Sequence, residues 1–297
     1  MFLMRTQVRA DLMLVLVTFF WGVSYLLIDL SLGELGPFSL NTLRFLFAFA
    51  AAVLLFPKRL RAPSRATLKL SLCTGMALLC VYSFNTFGVK YTSLTNAGFL
   101  CALTVVFTPL LDYLFFRTKP SRKLFLVLIM SVTGIALLTL SSTLRPALGD
   151  ILCILCAVSN ATYLLVTERG VTGQEINAFQ LGIYQQLFAG LGMLILSLIF
   201  ETPSLPHSPK VWGSVLILSL FCTGAAFLIQ AIALQYTTAS HVGVIFCLEP
   251  VFNSILAFFV AHEVLTLQAY FGGLLLLASL LVMETDLTPL LRRLRRT

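Results

Sequence analysis

With 59% hydrophobic residues, only 11% charged ones and a mean hydropathy of +0.97, the 297-residue chain has too few charges to cover a water-soluble surface of its size. In a soluble protein a formal charge of +8 would suggest nucleic acid. Here the placement of the bases, described below, assigns them to a membrane surface, and no nucleic-acid partner is expected.

The apolar residues come in blocks of roughly 17 or more, enough to cross a ~30 Å hydrocarbon core at ~1.5 Å per residue. The short alternating segments of a strand barrel are not visible. Arg5 and Arg9 precede the first block, which runs too long for a signal peptide and lacks a small-residue cleavage site, so it reads as a membrane helix. Ten spans are predicted, at 11–30, 38–56, 68–89, 94–116, 124–140, 150–167, 178–200, 211–233, 239–260 and 268–284. The breaks between them are turn-forming: Gly33, Gly36 with Pro37, Pro57 and Pro63, Lys119 with Pro120, Pro146, Gly170 with Gly173, and Pro203 with Pro209.

The bases orient these spans. One set of loops, at 1–10, 57–69 and 117–123, together with Arg169 and the tail at 292–296, holds sixteen of the twenty Lys and Arg; the other set holds Lys90, Arg145 and Lys210, and Arg44 lies within a span. The positive-inside rule then puts both termini in the cytoplasm, with the basic loops against anionic lipid. All seven cysteines fall within apolar spans. Cys153 and Cys156 have C-x-x-C spacing, but no second pair completes a zinc site, so they read as small buried residues. No metal and no cofactor are expected.

The two halves of the chain repeat. Lys90, Tyr91, Thr92 and Ser93 align with Gln235, Tyr236, Thr237 and Thr238 at an offset of 145. The same offset aligns Asn85 with Gln230, Gly98 with Gly243, Leu103 with Leu248 and Phe107 with Phe252. Spans 1 and 6 align at an offset of 139, which sets Asp11 on Asp150 and Trp21 on Asn160. Five spans per repeat is an odd number, so the second repeat, 146–297, enters the membrane opposite to the first, 1–145. Such inverted repeats have two near-equivalent packings and suit alternating access.

Trp21 with Gly22, Arg44, the run from Tyr91 to Leu94, its counterpart from Tyr236 to Ala239, the run from Leu248 to Val251, Glu263 and Gly272 resemble the EamA-type members of the drug/metabolite transporter superfamily. The resemblance covers nearly the whole chain. It implies a central cavity lined by spans 1, 3, 4, 6, 8 and 9, with spans 5 and 10 outside it. Two positions depart from the family pattern: Thr118 stands where an acid follows span 4, and Thr104 with Val105 stands where the second half has Glu249 with Pro250.

Polar residues within hydrocarbon need a partner or a wet cavity. Glu249, near the middle of span 9 and followed by a helix-perturbing Pro250, is the sharpest case. It binds a cationic group of the substrate, or exchanges a proton with it, or ties span 9 to a neighbour. The repeat-equivalent pairs Asn85 and Gln230, and Asn96 and His241, either line the two mouths of the cavity or bond helices together. Trp21, Tyr25, Tyr82 and Tyr163, with Asn160, either face the substrate or pack. Arg44 is expected to pair with Asp29 across the first hairpin, and Asp112 to be solvated at the basic loop.

The fold expected is thus an all-α membrane protein of ten helices, as two inverted five-helix repeats around a cavity. The function expected is secondary transport of small amino-acid-like or amphipathic metabolites across the plasma membrane, as an exporter. The alternatives are a proton-coupled or facilitative importer of a small cation or nucleobase and, further behind, an intramembrane enzyme or a scaffold. No G-x-x-x-x-G-K-[ST] loop or G-x-S-x-G elbow is present, and Thr266 replaces the second histidine of H-E-x-x-H after His262 and Glu263. The partners expected are a small-molecule substrate and membrane lipid, and a homo-oligomer is allowed.

Overall fold

The computed structural model describes residues 2–92, 94–139, 148–172, 176–252, 255–256 and 266–284. The expectations on Arg145, Glu263 and the tail at 292–296 lie outside the described residues. The elements in chain order are α1 (Phe2–Leu32), α2 (Pro37–Leu55), α3 (Arg65–Tyr91), α4 (Leu94–Ala102), α5 (Thr104–Phe116), α6 (Arg122–Thr139), α7 (Leu148–Val171), α8 (Ala178–Phe200) and α9 (Pro209–Ser219). A π-helical turn (Leu220–Ala225), α10 (Ala226–Ala233), α11 (Ala239–Phe246) and α12 (Leu267–Glu284) complete the order.

Among the described residues, six helices are long and apolar enough to cross a membrane: Gln7–Leu32, Pro37–Leu55, Arg65–Tyr91, Leu148–Val171, Ala178–Phe200 and Pro209–Ala233. Shorter apolar helices cover Leu100–Phe116, Ala239–Phe252 and Tyr270–Met283. Their outward faces carry Leu54, Leu114, Leu198, Phe200 and Leu274, all exposed, as is Phe125 of α6. A row of large apolar side chains facing outward suits lipid and not water.

The helix starts use the residues the turns supplied. Ser64 accepts from the Thr67 N–H, Asn177 from Gln180, Ser208 from Val211 and Thr238 from His241, satisfying amides that a helix start leaves open. Pro37 and Pro209 stand in the first turn of their helices, where no N–H is needed.

Packing interleaves the two halves of the chain. α3 lies against α7 and α8, α2 against α8, α1 against α9 and α10, and α5 against α7 and α11. α6 pairs with α12 to one side, with the hydroxyl of Ser131 donating to Ser279 at 3.1 Å. On the face away from the basic loops, two glutamates clasp the halves. Glu201 accepts from the Phe38 and Ser39 N–H groups at 3.1 and 2.9 Å, capping α2. Glu34 accepts from the His207 and Ser208 N–H groups at 2.7 and 3.1 Å, capping α9. A Cβ at Gly36 would meet the Glu201 carboxylate, so a larger residue there would have to displace this cap. Hydrogen bonds from the Ser208 hydroxyl, then from the His207 and Ser208 amides, hold the Glu34 carboxyl below its ordinary value of 4.5.

Three predicted spans are not regular helices. Span 4 divides at Leu103, where the bonding tightens to Leu103 N–H on Leu100 at 3.3 Å and Val106 N–H on Leu103 at 2.9 Å. Span 9 divides at Cys247 and Leu248, with Cys247 N–H on Val244 at 3.2 Å and Leu248 N–H on Ile245 at 3.0 Å, and helix resumes at Glu249. Leu103 and Leu248 are partners at the repeat offset, so both breaks stand at one register of the repeat. Span 8 widens into the π turn at Leu220–Ala225.

Candidate functional site

The break in span 9 presents Glu249 as the first residue of the resumed helix, half-buried between the buried Leu248 and Pro250. A helix start carries partial positive charge, which favours a carboxylate there. The Tyr25 hydroxyl of α1 and the Arg44 charge of α2 both act on this carboxylate. Its counterpart at the other break, Thr104, is buried and neutral, and its hydroxyl donates to the carbonyls of Cys101 at 2.8 Å and Ala157 at 3.4 Å.

Arg44 is 1% exposed, and the structure corrects its expected partner. Asp29 is exposed on α1 and makes no ion pair with it. The guanidinium turns inward instead. Its Nε donates to the Thr223 hydroxyl, and its Nη2 to the Cys222 carbonyl at 3.2 Å and the Tyr82 hydroxyl at 3.4 Å. The guanidinium carbon sits 4.5 Å from the centre of the Tyr82 ring. Nη1 is buried without a protein partner. The π turn makes this arrangement possible: its widened backbone turns the Cys222 carbonyl sideways, where it also accepts from the Trp21 indole at 3.0 Å.

Aromatic rings gather above this network. Phe227 lies 5.7 Å from Trp21, 6.2 Å from Phe45, and 5.9 Å from both Tyr82 and Tyr163. The Tyr163 hydroxyl accepts from the Gln185 amide at 3.1 Å. The polar atoms of Trp21 and Tyr163 are therefore engaged within the protein. Tyr25 and Tyr82 both lie within electrostatic range of Glu249.

The remaining candidates separate. Asn85 is half-buried and its amide donates to the Cys101 thiol at 3.5 Å; Asn160 is half-buried on α7. The side chain of Asn96 lies outside the described residues. Gln230 lines no open mouth in this conformation: it is 0% exposed and neither amide atom has a hydrogen-bond partner. His241 is also buried, with Nε2 3.5 Å from Asp11 of α1. At the basic face, Asp112 is not simply solvated, because it pairs with Arg169 at 2.9 Å. It lines a cavity of about 220 Å³ with Lys119, Glu168 and Ser240. Above that cavity α11 crosses α5 closely, and a Cβ on Gly243 would stand 3.4 Å from the Val105 Cα.

Sequence reading missed Thr223, the Cys222 carbonyl, Phe227 and Gln185. None carries a local signal, since each matters through a partner distant in the chain. Among the described residues, no group of three His, Cys, Asp or Glu side chains is arranged to hold a metal ion.

The model of the EamA-like transporter family matches residues 8–140 and again 147–285. An uncharacterized transporter of Archaeoglobus fulgidus is 28% identical over 281 residues, covering 94% of this chain and 86% of the relative. The uncharacterized transporter YyaM of Bacillus subtilis is 23% identical, covering 91% and 92%. A solved crystal structure superposes with a TM-score of 0.79 at 19% identity, over 96% of this chain and 98% of that one, which shows a shared fold. The chain belongs to the EamA-like transporter family, and is a multi-pass plasma-membrane transporter of small molecules.

Proposed function

We propose that the chain exports small amino-acid-like or amphipathic metabolites by alternating access, and that Glu249 both binds the substrate and couples it to protons. In this reading ten spans form two inverted repeats, 1–145 and 146–297, with both termini cytoplasmic. The observation that carries it is a half-buried acid at a helix break, within the field of a buried guanidinium whose Nη1 has no hydrogen-bond partner.

The charges argue for the substrate class. Glu249 and Arg44 together are neutral, so a substrate bearing a net charge would leave that charge uncompensated within hydrocarbon, at a cost of several kcal/mol. A zwitterion leaves the site neutral. Its ammonium meets Glu249, its carboxylate takes the spare Nη1 donor of Arg44, and Tyr25 and Tyr82 offer ring faces to the apolar part. A proton competes with the ammonium for Glu249, which is a physical basis for coupling. Asn85 and Asn160 complete the wall in this reading.

Counterflow in proteoliposomes against labelled amino acids, nucleobases, polyamines and quaternary amines tests the proposal. Saturable exchange of neutral amino acids supports it. Saturable exchange of only cations or nucleobases overturns the substrate class, and non-saturable flux overturns the carrier mechanism. Everted vesicles test direction, with accumulation expected in them and not in right-side-out ones.

A further inference from the structure

Helix α7 is tied at both ends to the junctions of other helices. At the basic face Glu168, near its end, accepts from the Ala239 N–H at 3.1 Å and so caps the start of α11. At the opposite face Asp150, in its first turn, accepts from the hydroxyl of Thr92 at the junction of α3 and α4, at 2.6 Å. An acid near a helix end opposes the macrodipole of its own helix, and reaching the start of another helix offsets that cost.

The repeat places the same groups around α1. At the offset of 139, Glu168 falls on Asp29 and Asp150 on Asp11; at the offset of 145, Ala239 falls on Leu94, where α4 begins, and Thr237 on Thr92. Neither equivalent tie is made. Asp29 is exposed and has no hydrogen bond or ion pair among the described residues. Asp11 lies 3.5 Å from His241 instead, and the Thr237 hydroxyl is buried without a partner. Two differences at opposite faces thus have one sense: α7 makes both ties and α1 makes neither. The contact of α2 with α8 shows no such asymmetry, because it is fastened at both faces. Glu201 caps α2 at one, and at the other the Gln180 amide donates to the Arg59 carbonyl at 3.0 Å and the Tyr184 hydroxyl to the Leu60 carbonyl at 2.8 Å.

We propose that α1 and α7 exchange these ties as the protein alternates between two packings. In the second packing Asp29 caps α4 at Leu94 and the Thr237 hydroxyl donates to Asp11, while Glu168 leaves Ala239 and Thr92 leaves Asp150. Each packing then makes one carboxylate cap and one hydroxyl–carboxylate bond, so the chemistry of the two is matched and neither is strongly favoured. The inference rests on the alternating-access reading above and names the bonds that hold each state. The α2–α8 contact is the part that stays closed.

Hydrogen–deuterium exchange at the Ala239 amide, measured on the full-length chain in nanodiscs, tests it. That amide opens when Glu168 lets go, so weakening the second packing should protect it. Asp29→Ala, at the opposite face, should slow its exchange about five-fold, and Asp29→Asn, which keeps a capping oxygen, should restore the unmodified rate. Thr237→Val should also slow it, whereas damage to local structure beside Ala239 would speed it. Glu168→Ala should speed it, as the amide then loses its acceptor. An Ala239 rate in folded Asp29→Ala or Thr237→Val that equals or exceeds that of the unmodified chain overturns the proposal. Failure of the carrier reading is read separately, by counterflow. Saturable counterflow beside unchanged exchange keeps alternating access and removes these ties; slowed exchange beside non-saturable flux keeps the ties and removes the carrier.

Discussion

The two helix breaks occupy one register of the repeat and have different chemistry. At Leu103 the residue that restarts the helix is Thr104, whose hydroxyl turns back onto two carbonyls and leaves nothing charged. At Leu248 it is Glu249, whose carboxylate stays half-buried beside Tyr25 and within the field of Arg44. The difference extends to the glycines: Gly243 meets the Val105 backbone, whereas a Cβ on Gly98, its repeat partner, would meet nothing within 4 Å. Duplication supplied the geometry of a broken helix twice. A single divergent residue supplied the charge once.

The largest effect that sharpens this comparison belongs to Glu249. Hydrogen bonds to charged groups are worth about 1.5–3 kcal/mol, so Glu249→Gln should lower transport about 10- to 100-fold. Its melting temperature in detergent should stay near that of the unmodified protein. Next comes Arg44. Arg44→Leu leaves the Thr223 hydroxyl without its guanidinium partner and should cost about 1–3 kcal/mol of stability, read by thermal or denaturant unfolding in micelles. Asp29→Ala should change stability by less than about 0.5 kcal/mol, as expected of an exposed residue. Equal effects of the two would restore the Asp29–Arg44 pair.

At the neutral break, Thr104→Val should lower stability by about 1 kcal/mol and leave saturable transport in place. A collapse of transport there would make the two breaks chemically alike. The smallest effect is at the clasp. A carboxyl held below its ordinary value stabilises the fold above that value and loses the contribution as pH falls through its lower folded value. The Glu34 contact should therefore be complete at neutral pH and weaken below about 4.5. The difference in melting temperature between the unmodified chain and Glu34→Gln should shrink across that range, and a difference independent of pH would contradict the assignment.

Much of the architecture was written in hydropathy. Apolar blocks marked the helices, and prolines and glycines marked the turns that became caps at Ser64, Asn177 and Ser208. The breaks were less legible, because the local punctuation misleads. Pro109 sits inside α5 without ending it, while Leu103 breaks its span with no proline or glycine at the break. Glu249 stood out because an acid within an apolar block has few innocent explanations. The direction of Arg44 could not be read. A helix that is apolar all round gives no rotational phase, so proximity in the hairpin suggested Asp29, whereas packing against the π turn decided otherwise. Phe227 was one of 25 phenylalanines.

The most direct test of the central claim is counterflow of a neutral amino acid, measured side by side in proteoliposomes for the unmodified chain, Glu249→Gln and Thr104→Val, with folded protein in each quantified by size exclusion. The account predicts saturable exchange in the first and third, and its loss in the second at equal folded protein. Undiminished exchange by folded Glu249→Gln would contradict it, and would leave that glutamate as a tie between helices.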